Sequence, residues 1–216
     1  MFGVGAGNTP DDYEPFGFPA DRRVARFAEW IEIVSALLHG GSVEFAGEHH
    51  VAHGAELVPR GPRPGGPPIV IAAKGPRMMR LTARFADGWN WWTSGRPDLD
   101  ALRSIVRDID QACEAAERDP STLRRSLDVY SIDPIGARVD APDAISGGAE
   151  AIADVLLKLG EIGFEEVRCN LLVADAPDGL PGAIEAMGDV VARVHAGSPV
   201  PRRTGDPTPD LHHALR

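Results

Sequence analysis

Residues 67–92, PPIVIAAKGPRMMRLTARFADGWNWW, constrain the fold more than any other stretch, because they pass from strand to turn to helix to strand with no spare residue. Pro67 and Pro68 close a loop, and Ile69, Val70 and Ile71 form the short apolar run of a strand covered on both faces. Ala72, Ala73, Lys74 and Gly75 turn the chain, and Pro76 suits the first turn of a helix, where its missing N–H costs nothing. Met78, Met79, Thr82 and Phe85 then recur at helical spacing, and Asp87-Gly88 ends the helix. Small residues leading from a strand directly into a helix N-terminus present free N–H groups to an anion. The same spacing also describes a plain strand-to-helix connection.

Four more strand patterns, at residues 2–6, 88–92, 127–132 and 167–173, alternate with amphipathic helices at about 22–38, 99–116, 148–159 and 182–194. Strands alternating with helices predict parallel βαβ crossovers and an α/β fold. An insertion at 42–67 reads as a hairpin outside the main sheet, through Val43, Phe45, the turn Ala46-Gly47-Glu48 and Val51. One domain over residues 1–196 is expected. The Pro-rich, polar stretch 197–216 cannot bury a core and reads as a disordered tail. Pattern alone leaves both an open doubly wound sheet and a closed barrel standing.

The formal net charge of -10 argues against a nucleic-acid partner. No apolar run approaches a membrane span, and Cys113 and Cys169 lack the spacing of a disulfide framework or zinc site, so a cytoplasmic protein is expected. His49, His50 and His53 read as exposed hairpin residues, and no metal site is expected. The sequence has no Gly-x-Ser-x-Gly elbow, P-loop or His-Glu-x-x-His motif. GVGAG at Gly3 to Gly7 would let a ring or phosphate approach the backbone, but a dinucleotide fingerprint needs Gly where Asn8 stands.

Lys74 is the only lysine in the first 150 residues and sits in the turn beside the expected anion site. Arg77 could add a bidentate contact, or could belong with Arg80 and Arg84 to a solvated basic face. Alternation sends Trp89 and Trp91 to one side of their strand and Asn90 and Trp92 to the other. Trp89 and Asn90 are the candidate substrate-pocket residues, with core packing the more common use of a tryptophan at such a strand end, and no residue stands out as a general acid or base.

The series GVGAG, Asp12-Tyr13, Phe16-Gly17, Arg23, Arg26, Glu29, VEFAG at Val43 to Gly47 and PPIVIAAKGPRMMRLTARFADGWN resembles the bacterial luciferase-like monooxygenase superfamily, closest to its deazaflavin-dependent branch. The resemblance implies a (β/α)8 TIM-barrel fold of which about five of eight βα units are present. It implies an oxidoreductase or monooxygenase working by hydride transfer or flavin-dependent oxygenation on a small organic substrate, with coenzyme F-420 or flavin mononucleotide. Carried over, it places Gly5, Ala6 and Gly7 beside the cofactor ring, and Ala72, Ala73, Lys74 and Gly75 near its phosphate, to which Arg77 is the added candidate contact from its place in the first helical turn. Ala72-Ala73 replaces the usual Gly-Gly pair, and Asn8 a frequent tryptophan. A barrel short of three units would expose two sheet edges and an apolar interior. Three units preceding Met1, or a partner such as a second copy, would then be needed. The alternative reading is a non-catalytic remnant that binds flavin or a partner chain through those edges.

Overall fold

The structure, a computed structural model, describes residues 1–136, 143–173 and 179–198 apart from Asn8, Pro10 and Asp12. The tail expected from residue 197 therefore lies outside the described residues beyond Ser198. Eight strands and five helices follow the chain: β1 (Phe2–Gly5), α1 (Arg23–His39), β2 (Val43–Ala46), β3 (Val51–Ala55), β4 (Ile69–Ala72), α2 (Pro76–Phe85), β5 (Gly88–Trp92), α3 (Leu99–Ala115), β6 (Arg124–Asp133), β7 (Ile145–Ser146), α4 (Ala149–Ile162), β8 (Glu166–Leu171) and α5 (Gly179–Gly197). The main sheet is parallel throughout: β1 pairs β4, β4 pairs β5, β5 pairs β6, and β6 pairs both β8 and β7. Among the described residues, β1, β7 and β8 each keep one unpaired edge.

Alternation decides which side of each strand meets the helices. Ile69 and Ile71 of β4, Trp89 of β5, and Leu127 and Val129 of β6 are buried in one core with Met78, Met79, Ala83, Leu102, Val106 and Ile109 from α2 and α3. Phe2 and Val4 of β1 pack on the same core, where Phe2 meets Trp30 of α1 at 6.3 Å between ring centroids. The opposite, open face carries Gly3 and Gly5, Ala72, Asn90, Ser126 and Arg168.

Local chemistry fixes the ends of the helices. Asp98 accepts from the N–H groups of Asp100 and Ala101 to cap α3. Arg118 donates to the carbonyls of Ala83 and Ala86 at the end of α2 and to Thr122, joining three segments through one guanidinium. Asp87 accepts from the N–H of Ile69 at 2.7 Å, which ties the far end of α2 to the start of β4.

The hairpin β2–β3 forms a separate antiparallel pair, as its turn signal predicts. Two side chains hold it to α1: Arg22 at the N-cap pairs with Glu48, and the Glu29 carboxylate accepts from the backbone N–H groups of Glu48, His49 and His50 at 2.8–2.9 Å. This clasp corrects the expectation of three exposed histidines, because the His49 side chain is only 4% exposed while His53 stays at the surface. Burial pushes the Glu29 carboxyl up, but the three N–H donors outweigh it and hold the group below the usual glutamate range. Since the folded carboxyl is the stronger acid, its contribution is present above about pH 4.3 and is lost as the pH falls through the folded value. The amide nitrogen shifts of Glu48, His49 and His50 are therefore expected to titrate together in acid, with a midpoint below that of free glutamate; Glu29→Gln should abolish the step. Separate midpoints for the three amides would refute the clasp.

Candidate functional site

The C-terminal ends of β1, β4 and β5 meet at a cleft of about 450 Å3 lined by Gly5, Ala6, Gly7, Arg23, Val24, Ala72, Ala73, Lys74, Met78, Asn90 and Trp92. Parallel pairing puts these ends together: Gly5 lies opposite Ala72, and Ala72 opposite Asn90. The strand ends of an α/β sheet are where such folds place ligands. Seven of the ten residues singled out from the sequence, Gly5, Ala6, Gly7, Ala72, Ala73, Lys74 and Asn90, border this one cleft.

The other three do not line it. Gly75 stands at the N-cap of α2 with φ 79°, a left-handed backbone that favours glycine, and Arg77 projects from the first helical turn as an exposed residue. Trp89 requires a correction: it is 0% exposed, donates its indole N–H to the Ala73 carbonyl at 3.1 Å and stacks on Phe164 at 6.0 Å. The alternation holds, but the face with Trp89 is the one under the helices. Trp92, 41% exposed, takes the place beside Asn90.

Lys74 sets the electrostatics. Its ammonium lies 3.7 Å from the centre of the Trp92 ring and 4.8 Å from that of Trp91, with no acidic partner among the described residues. Burial pulls its pKa down, since water that would solvate the charge is displaced by the indoles. Arg23 lies on the same cleft, and no described lining residue is a carboxylate. The first turn of α2 adds backbone N–H groups, at Arg77 and Met78, that have no helical acceptor.

The wall formed by β1 is held from outside. Tyr13 donates its hydroxyl hydrogen to the Ala6 carbonyl at 2.7 Å, and Gly7 beyond it adopts φ 73°. A Cβ on Gly7 would overlap the Tyr13 hydroxyl, so only glycine fits this bend.

Sequence reasoning missed the residues behind Asn90. Asn90 Nδ2 donates to Ser126 Oγ at 3.1 Å and to Asp128 Oδ1 at 3.2 Å, and Arg168 Nη2 donates to Ser126 Oγ at 2.9 Å. The signal was the alternation of Ser126 and Asp128 with Leu127 and Val129, which marks a strand polar on one face only. Among the described residues no cluster of His, Cys, Asp or Glu could hold a metal ion, and no helix is long and apolar enough to cross a membrane.

A model of the luciferase-like monooxygenase family matches residues 1–132. The F-420-dependent glucose-6-phosphate dehydrogenase of Mycolicibacterium gilvum is 30% identical over 143 residues, covering 62% of this chain and 41% of that protein. The chain spans less than half the length of the curated relatives it matches. Among solved structures, an F-420-dependent secondary alcohol dehydrogenase in complex with an F-420-acetone adduct shares the fold at TM-score 0.70 and 16% identity, over 89% of this chain and 68% of that one. A monooxygenase from Streptomyces bottropensis does so at TM-score 0.71 and 19% identity, over 90% and 67%.

Proposed function

Because this chain belongs to the luciferase-like monooxygenase family, we propose that its cleft binds the phosphate-bearing part of a deazaflavin or flavin, coenzyme F-420 or flavin mononucleotide, in oxidoreduction of a small organic substrate. The observation that carries this reading is electrostatic. In a chain of net charge -10, the cleft is lined by two cations, Arg23 and Lys74, and by no carboxylate among the described residues. That donor set fits an anion. The bare backbone of Gly5, Ala6 and Gly7 and the small side chains of Ala72 and Ala73 fit the close approach of a flat ring.

The cofactor, when bound, supplies the hydride or oxygen chemistry, and the protein supplies position and charge. Lys74 would neutralise the phosphate, the first N–H groups of α2 would donate to it, and Tyr13 would keep the β1 wall in place through Ala6. A pocket of this family type also requires an opposite wall, which other residues of a full barrel or a partner chain would contribute.

Titration of the chain with flavin mononucleotide and with coenzyme F-420, followed by ligand fluorescence, tests the assignment. Saturable binding is expected, and Lys74→Ala should weaken it about tenfold, the value of one charge-assisted contact. Equal binding by the variant would remove the phosphate role of Lys74; no binding of either cofactor would sink the reading. The exposed aromatic rings of Trp92 and Tyr130 favour a second reading, a binding module without turnover. Oxidation of the reduced cofactor by the chain separates the two.

A further inference from the structure

The polar cluster on the open face has a direction built into it. Asn90, Ser126 and Glu166 lie side by side across β5, β6 and β8, as do Trp92, Asp128 and Arg168 one pleat further on. Asp128 can only accept as a carboxylate, and Arg168 Nη1 lies 3.6 Å from it while Arg168 Nε donates to Glu166 at 2.7 Å. Ser126 donates its one hydrogen to the Trp89 carbonyl at 3.4 Å, so it too can only accept from Asn90 and Arg168. Two acceptors therefore face the same atom of Asn90, and that atom must be the amide nitrogen.

The carbonyl oxygen of Asn90 is then turned the other way. Asn90 is 8% exposed and lines the cleft, yet Oδ1 has no hydrogen-bond partner among the described residues and is not sealed from solvent. It is the only side-chain oxygen among the described residues that line the cleft. We propose that Asn90 reads a hydrogen-bond donor, N–H or O–H, on a ligand whose anionic end is held by Lys74 and Arg23, and that Ser126, Asp128 and Arg168 are positioning residues that fix the carbonyl toward it. A ligand presenting an acceptor or a methyl group at that point leaves the carbonyl desolvated and unpaired, which is how a built polar site discriminates. The identity of the ligand rests on the cofactor reading above.

The flavin ring carries one imide N–H, so flavin mononucleotide and its 3-methyl derivative form a matched pair of ligands. The chain is expected to prefer the parent by about tenfold, the value of one well-formed hydrogen bond and its desolvation. Asn90→Leu keeps the side-chain shape and should bring the two affinities within about twofold of each other. Asp128→Asn, which can donate as well as accept, frees the Asn90 amide to turn and should also shrink the preference. Equal binding of the two flavins by the parent chain, or a preference retained in Asn90→Leu, would overturn the proposal. If neither flavin binds, the cofactor reading fails separately, and the Asn90 side-chain amide protons of the free chain decide the orientation by nuclear magnetic resonance. Protection from exchange that is lost in Asp128→Asn supports it; fast exchange in the parent overturns it.

Discussion

Replacing Trp89 with alanine is expected to lower the unfolding free energy by about 4 kcal/mol, near the top of the range for a buried aromatic residue. Its ring is fully buried and packs against both Phe164 and Trp91, so truncation leaves a large cavity under the sheet. The change also orphans the Ala73 carbonyl, whose partner is the indole N–H. Because Ala73 adjoins Lys74, weaker ligand binding should accompany the lost stability. Trp89→Phe keeps most of the packing and isolates the hydrogen bond, at about 1–2 kcal/mol. Urea denaturation measures both variants; a loss below about 2 kcal/mol for Trp89→Ala would show that the core collapses around the vacancy.

Gly7→Ala is expected to cost about 2–3 kcal/mol, from a left-handed backbone that alanine resists and from displacement of Tyr13. A Cβ at this position would lie 2.9 Å from Tyr13 Cζ and overlap the hydroxyl, so the ring must give up the Ala6 carbonyl or the loop must move. Either change reshapes the β1 side of the cleft. Tyr13→Phe is the control, since it removes the hydroxyl at about 1 kcal/mol and opens space for a methyl group. In the Tyr13→Phe background the added cost of Gly7→Ala should fall; additive costs in thermal melts would refute contact between the two residues.

The strand-turn-helix-strand unit was legible because punctuation and period agree over its whole length. The apolar run, the glycine before Pro76 and the Asp-Gly stop give β4, α2 and β5 with their observed ends. The sequence pattern marks β6 only over 127–132, three residues short at its start and one at its end, because the opening Arg124 and Arg125 look like a loop until the pairing of Gly88 with Arg124 is known. β7 was missed, since two residues carry no period. The sequence leaves Trp89 between pocket and core for a different reason: alternation separates two faces but does not say which one meets the helices, and the structure puts Trp89 in the core. The hidden side of the site, Ser126, Asp128 and Arg168, depends on two strands that are distant in sequence, and parallel register alone brings them behind Asn90.

The position of Lys74 over the indoles bears on the cost of binding. A lysine waving in water loses much rotamer freedom when it closes on a ligand. Here the ammonium of an exposed side chain already rests against a tryptophan pair at the edge of the cleft, where partial burial lowers its pKa. Part of the ordering that an arriving anion would otherwise have to impose is supplied by these ring contacts, so the charge is presented at the edge of the wall.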